Sequence, residues 1–253
     1  MTIAELLIKV DTLRNELDNI QKSTIDVIRL APHFRLDWGG DESDQANVTD
    51  VYNLGATQSV IISGLTIESK KYKTTSSLFE RSEIAQTLID IFINETELTK
   101  EFLSKIHGLI INGGGIWRKE KVTVFDASNI IPNPFSAPED IEKEIDELLK
   151  WYNEETKLQK LHPVLLSSIF HYELVKIHPF LDGNGRLARI LTSMILLKRR
   201  LPPPRLFPNE RILYLSSLRN ADTGDLQPLI LFIGEKVVQS LEYALTIKNT
   251  SNG

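Results

Sequence analysis

The amino-acid sequence predicts an all-α fold, a helical bundle with one small β-hairpin and a helical N-terminal extension. Apolar residues recur every three or four positions in several segments, and capping residues or proline stand before some of them. One short stretch, residues 121–125, alternates polar and apolar side chains as a strand does, and residues 126–129 are typical of a turn. These observations favour helices packed on helices.

The opening segment is predicted to be a helix. Thr2 and Glu5 have the spacing of a capping box. An apolar stripe then follows at helical spacing: Ile3, Leu6, Val10, Leu13, Leu17 and Ile20. Because the stripe is too short to establish a coiled coil, we expect it to pack on the rest of the chain, with a homodimer contact as the alternative.

Further helices are predicted along the chain, separated by a loop at 32–50 and by glycines at 113–115. One begins near residue 59, and the others cover about 82–111, 163–176, 185–200 and 228–245. Another is expected to open with a capping box formed by Ser136 and Glu139. Its buried face should consist of Ile141, Ile145, Leu148, Leu149 and Tyr152. In the helix over 163–176, the inward residues should be Val164, Leu165, Ile169, Phe170 and Val175.

Composition excludes several classes of function. The 253 residues include no cysteine, which excludes disulfides, cysteine-ligated metals and a thiol nucleophile. The net charge of −5 argues against a general nucleic-acid binder. We find no signal peptide and no apolar stretch long enough to cross a bilayer, so we expect a cytoplasmic protein without membrane contact, from a bacterium.

Residues 177–189 carry the chemistry. They are predicted to form a helix end, a Gly-Asn-Gly loop and a new helix start. Backbone N–H groups of Gly183, Asn184 and Gly185 can converge on an anion there, because glycine permits a close approach. Arg186 and Arg189 are three apart on the new helix, so both can face that anion.

Two further residues complete a candidate site. Asp182 lies at the edge of the loop, where a carboxylate beside phosphates typically binds Mg²⁺. His178 lies at the other end and can take a proton from a hydroxyl near neutral pH. Together the residues indicate transfer of a phosphorus-centred group to an alcohol. The remaining histidines, which show no repeated ligand spacing, are expected to be structural: His33, His107, His162 and His171.

The same residues resemble the signature of Fic-domain proteins, His-x-Phe-x-Asp/Glu-Gly-Asn-Gly-Arg-x-x-Arg. Every specified position is matched, by His178, Phe180, Asp182, Gly183, Asn184, Gly185, Arg186 and Arg189. The resemblance covers about residues 83–235. Residues 115–118 with 122–124 look like the family's flap hairpin, and residues 211–214 look like the segment behind its adenine pocket. It therefore implies a Fic core over 83–253 and an N-terminal extension over 1–82.

The resemblance implies transfer of AMP from ATP to a Ser, Thr or Tyr hydroxyl of a target protein, and self-modification is also expected. His178 would be the general base and Asp182 would bind Mg²⁺. Asn184 and the N–H groups of Gly183 and Gly185 would hold the α-phosphate. Arg186 and Arg189 would hold the β- and γ-phosphates. Phe180 is expected in the core, and the flap residues Val122, Thr123 and Val124 would pair with the target backbone.

One departure from the family concerns its inhibitory helix, whose glutamate pairs with the second signature arginine. The frame fits residues 59–69, but Ser63 occupies the glutamate position. A serine hydroxyl is too short and uncharged to neutralise Arg189, so we expect the inhibitory contact to be missing. The alternatives are removal of AMP from proteins, an ATP-binding regulator or toxin-type module with little turnover, and another donor such as UMP or phosphocholine.

Overall fold

The computed structural model of the chain describes residues 1–20, 97–111, 114–122, 125–126, 129–130, 135–204 and 210–251. Its helices are α1 (Ile3–Ile20), α2 (Lys100–Ile110), α3 (Ile141–Leu158), α4 (Pro163–Ile177), α5 (Asn184–Lys198), α6 (Arg211–Asp222) and α7 (Gln227–Ser251). The predicted helical class is confirmed. The inhibitory-type segment 59–69 with Ser63, the boundary at 82/83, and His33, Thr123 and Val124 lie outside the described residues.

Helix α1 begins with the predicted capping box. The Thr2 N–H donates to Glu5 Oε2 at 2.7 Å, and the Glu5 N–H donates to Thr2 Oγ1 at 3.2 Å. Three residues of the apolar stripe, Leu6, Val10 and Leu17, are fully buried and form one cluster with residues of α7. The stripe is therefore used inside the chain, as predicted.

Helix α2 is shorter than the predicted continuous helix over 82–111. Thr99 has the extended conformation of an N-cap, with φ −126° and ψ 166°, and its side chain accepts from the Phe102 N–H. The prediction of one helix across this point is wrong because Thr99 caps a new helix start, which apolar periodicity alone does not reveal.

Helix α3 buries all five predicted apolar residues, but its start was predicted wrongly. The helix begins at Ile141 after Asp140, which makes no side-chain capping bond. The Ser136 hydroxyl instead donates to the carboxylate of Glu144, which lies in the first turn of the helix. The predicted capping box does not open α3, because residues 138–140 form a turn before the helix begins.

Helices α4 and α5 pack on each other at the centre of the bundle. Helix α4 is buried on most sides, so the single predicted inward face is only partly right. Val164 and Phe170 are fully buried, whereas Leu165, Ile169 and Val175 are half-buried. Neighbours on several sides explain the difference, since a central helix needs no single apolar stripe.

Two short strands follow α2, β1 (Phe125–Asp126) and β2 (Asn129–Ile130), paired antiparallel with Phe125 opposite Ile130. The predicted strand began at residue 121, but Lys121 and Val122 are not in a strand. Asp126 and Asn129, which were assigned to the turn, pair with each other instead.

Helix α5 ends at Lys198, two residues before the predicted end, and its basic terminus is used within the chain. Arg199 Nη2 donates to the Thr156 carbonyl at 2.9 Å, and Arg200 forms an ion pair with Asp18 at 2.9 Å. Among the residues described, no helix combines the length and the apolar character that a bilayer span requires. The fold thus places the α4–α5 turn at the edge of a central helix pair.

Candidate active site

The turn between α4 and α5 begins and ends with a left-handed residue. His178 ends α4 with φ +53° and ψ +59°, and its N–H donates to the Leu174 carbonyl at 3.0 Å. Gly183 has φ +82° and precedes the first residue of α5. A non-glycine residue with positive φ is uncommon, and such strain persists where surrounding contacts fix the backbone. The contacts that fix His178 are therefore central to the site.

Asn184 fixes the turn from inside. Its Oδ1 accepts from the Phe180 N–H at 3.0 Å, and its Nδ2 donates to the Phe180 carbonyl at 2.7 Å. Phe180 is fully buried, which confirms its predicted place in the core. The Asn184 side chain is itself buried and bound to the backbone, so its observed contacts shape the loop, in contrast to the phosphate contact that the resemblance implies.

His107 of α2 supports the same turn. Its ring stacks on Phe180 with 3.6 Å between centroids. The Gly115 N–H donates to Nδ1 at 2.8 Å, so Nε2 carries the hydrogen that is donated to the Asp182 carbonyl at 2.8 Å. Burial lowers the pKa of His107, which keeps this tautomer neutral. His107 is structural, as expected, but sequence analysis missed that it supports the loop.

Arg118 is the second residue whose role sequence analysis missed. It is 2% exposed, and each of its side-chain hydrogen bonds goes to a backbone carbonyl: His178, Ile177, Glu120 and Ser136. The bond from Nε to the His178 carbonyl is 2.6 Å long. The Arg118 N–H also donates to the Pro179 carbonyl at 2.8 Å. Arg118 thus holds both peptide units around His178 and joins residues 114–122 to the turn.

The His178 ring is arranged to stay neutral. It stacks on Phe135 at 3.9 Å, and its Nδ1 is buried. Burial, followed by the positive charge of Arg118, lowers the pKa of His178 to about 4. A neutral imidazole can accept a proton on the nitrogen that carries no hydrogen. With the hydrogen on the buried Nδ1, that nitrogen is Nε2.

Asp182 and Arg186 lie at the open side of the turn. Arg186 Nη2 lies 3.2 Å from Asp182 Oδ2, and the Asp182 side chain is 81% exposed. Asp182 Oδ1 also accepts from the Gly183 N–H at 2.6 Å. The described residues contain no cluster of three metal-binding side chains. One exposed carboxylate nevertheless fits Mg²⁺, which commonly takes one or two carboxylates and completes its shell with water and substrate phosphates.

Arg189 lies one turn further along α5. A Cβ built at Gly185 would come within 3.3 Å of Arg189 Nη1, so the guanidinium lies beside the glycine loop. The Arg189 side chain also hydrogen-bonds Tyr214, which is buried. The two arginines therefore have different protein partners, Asp182 for Arg186 and Tyr214 for Arg189. Val122, the described residue of the predicted flap motif 122–124, is half-buried.

Comparison with known proteins identifies the fold around this turn. A family model described as the Fic/DOC family matches residues 97–196, which include α2 through most of α5. This segment is a Fic/DOC domain. A solved Fic domain containing signaling protein from Bacteroides thetaiotaomicron is similar in fold, with a TM-score of 0.64, 22% identity and 96% of each chain covered.

Curated relatives of the Fic domain are named protein adenylyltransferases. Protein adenylyltransferase fic-1 from Caenorhabditis briggsae is 26% identical over 98% of this chain and 48% of the relative. The chain spans about half the length of the curated relatives it matches. These relatives are animal proteins and lend no support to the expected bacterial source.

One further similar structure was solved with a modified protein. IbpAFic2, in complex with adenylylated Cdc42, covers 88% of this chain with 18% identity and a TM-score of 0.55. At this identity the similarity concerns the fold of the Fic domain.

Proposed function

We propose that this Fic domain is a protein adenylyltransferase that moves AMP from ATP to a Ser, Thr or Tyr hydroxyl of a target protein. The observation that carries the proposal is the neutral His178 ring, held at the edge of a glycine loop flanked by Arg186 and Arg189. The relatives named protein adenylyltransferases support the same activity.

In the proposed reaction, the target hydroxyl gives its proton to His178 Nε2 as its oxygen bonds to the α-phosphorus. The bond from that phosphorus to the bridging oxygen breaks, and pyrophosphate leaves with the bond's electron pair. The backbone N–H of Gly185 would face the negative charge that develops on the α-phosphate, and the Gly183 N–H would join it by exchanging Asp182 Oδ1 for a phosphate oxygen. Arg186 and Arg189 would hold the β- and γ-phosphates, and Asn184 would act by holding the loop.

Asp182 would hold Mg²⁺ together with the phosphates of ATP. The bound ion would neutralise phosphate charge during the displacement. Because Asp182 is exposed and also touches Arg186, metal binding would exchange one partner of the carboxylate for another. Residues 122–124 would dock the target by backbone pairing, and the target itself is a protein of unidentified sequence.

The proposal is tested with the purified chain, ATP and Mg²⁺, in the presence of a cell lysate. Mass spectrometry should find AMP-modified hydroxyls on lysate proteins or on the chain itself, with pyrophosphate formed in equal amount. Phosphorylated residues would show that the chain is a kinase instead. Products that carry UMP or phosphocholine, when those donors are supplied, would show transfer of that group instead of AMP. If the chain releases AMP from a modified protein but does not form the modified protein, its activity is the removal of AMP. ATP binding without any transfer would leave the regulator as the function.

A further inference from the structure

A buried set of polar side chains from α4, α5 and α6 lies next to Arg189. His171 of α4 and Thr192 of α5 are each 2% exposed, and Tyr214 of α6 is 6% exposed. His171 Nδ1 lies 2.8 Å from Thr192 Oγ1, and His171 Nε2 lies 2.8 Å from the Tyr214 hydroxyl. Tyr214 also hydrogen-bonds the Arg189 side chain. We call Arg189, Tyr214, His171 and Thr192 the relay.

The donors and acceptors of the relay have one assignment that uses every hydrogen. Arginine has donors only, so the Tyr214 oxygen accepts from Arg189 and its own hydrogen goes to His171 Nε2. A neutral histidine then carries its hydrogen on Nδ1, which donates to Thr192 Oγ1. The Thr192 hydroxyl finally donates to the Ala188 carbonyl at 2.8 Å, one residue before Arg189.

The electrostatics agree with this assignment. Complete burial and then the nearby charge of Arg189 lower the pKa of His171 to about 3, so the ring is neutral at physiological pH. Burial also raises the pKa of Tyr214, which keeps its hydroxyl protonated as a donor. If His171 were protonated, its Nε2 would carry a hydrogen and could not accept the hydrogen of the Tyr214 hydroxyl.

We propose that the relay holds the Arg189 guanidinium in position for the terminal phosphate of a nucleoside triphosphate, with Tyr214, His171 and Thr192 as positioning residues. This inference rests on the proposed function, since it assumes that a nucleotide binds at the glycine loop. An arginine side chain loses considerable rotamer freedom when it binds a ligand. Tyr214 restricts that freedom before the ligand binds, so ordering the Arg189 side chain reduces the binding free energy less.

The test compares two buried tyrosines of the same apolar cluster, Tyr172 of α4 and Tyr214 of α6. Tyr214→Phe removes the hydroxyl that links Arg189 to His171. Tyr172→Phe is the matched control, because the Tyr172 hydroxyl donates to Asp222 at 3.2 Å and takes no part in the relay. Affinities for ATP and for ADP are measured by calorimetry with Mg²⁺ on the unaltered chain and both variants. We expect Tyr214→Phe to weaken ATP binding about tenfold, as the loss of one hydrogen bond to a charged group predicts. ADP binding should change little, and Tyr172→Phe should change neither affinity.

A second measurement tests the relay without any ligand. The ¹⁵N shifts of His171 in the unaltered chain should report a neutral ring with its hydrogen on Nδ1. A hydrogen on Nε2, or a charged ring near pH 7, would overturn the relay. Equal ATP affinities for the two variants would overturn the role of the relay while leaving adenylyl transfer intact. If the unaltered chain bound no ATP, the proposed function would fail, and the positioning role with it.

Discussion

Arg118 donates a hydrogen bond of 2.6 Å from its Nε to the carbonyl oxygen of His178, across 60 residues of sequence. The same guanidinium also reaches the Ile177 carbonyl, and the Arg118 N–H binds the Pro179 carbonyl. A buried cation surrounded by carbonyl oxygens thus holds the strained backbone of the residue that we propose as the base. Because the positive charge lies near the imidazole, it also opposes protonation of His178.

Arg118→Met is expected to reduce adenylyl transfer at least tenfold and the free energy of unfolding by about 3 kcal/mol, because buried carbonyls lose their donors. Turnover and urea unfolding would measure the two effects. The neighbouring exposed cation serves as the control, and Lys119→Met should change neither quantity. Full turnover by Arg118→Met would show that the His178 backbone does not depend on this side chain.

Gly183→Ala is expected to abolish activity. The residue has φ +82°, and an added Cβ would lie 2.8 Å from Ile111 Cγ1 and 3.0 Å from His107 Nε2. Gly224 has a similar φ of +94°, but a Cβ there would meet nothing within 4 Å. Gly224→Ala should therefore cost only the backbone strain of about 1 kcal/mol and keep full activity. Thermal melting and turnover of both variants would separate strain from steric conflict, and equal losses in the two would argue against the conflict.

His178 is expected to stay neutral well below its ordinary pKa of 6.5, since burial and the charge of Arg118 lower that pKa to about 4. In an NMR titration of the free chain, its ring resonance should not shift from about pH 8 to about pH 5. Between about pH 6.5 and pH 4, His178 is protonated in the unfolded state and neutral in the folded state. The free energy of unfolding should therefore fall as the pH decreases from about 6.5 toward 4. A midpoint at 6.5 or above would contradict the described environment of His178.

Ser63→Glu is expected to restore an inhibitory carboxylate and to suppress transfer by at least tenfold, because the glutamate would pair with Arg189. Ser63→Gln is the matched control, since glutamine has the same length without the charge. Transfer rates of the two variants, measured with ATP and Mg²⁺, would decide the matter. Equal rates in Ser63→Glu and the unaltered chain would remove residues 59–69 from the regulation of this site.

The sequence predicted the features of this fold that depend on near neighbours. The Thr2–Glu5 capping box and the buried face of α3 are set within one or two turns, so local patterns sufficed. The Thr99 cap and the bond between Ser136 and Glu144 were missed, since each competes with an equally plausible local alternative.

The position of the candidate turn was also predictable, because its residues are contiguous in the sequence. The residues that support the turn from other helices and loops could not be predicted. Arg118 and His107 reach the turn across 60 and 75 residues, and no local pattern connects them with it. The buried bonds of Asn184 were hidden for another reason, since an asparagine between two glycines is equally compatible with a ligand contact and with a bond to its own loop.

The most direct test of adenylyl transfer by this chain follows labelled phosphate from ATP into protein. The unaltered chain and His178→Asn are incubated with Mg²⁺, a cell lysate and ATP labelled at either the α- or the γ-phosphate. Asparagine is suited to the left-handed backbone at this position, so the variant removes the imidazole without disturbing the turn. His162→Asn is the control at the other end of α4, where asparagine is a favourable N-cap. We predict label in protein from α-labelled ATP alone, present with His162→Asn and lost with His178→Asn. Label from γ-labelled ATP, or α-label that survives in His178→Asn, would contradict adenylyl transfer with His178 as the base.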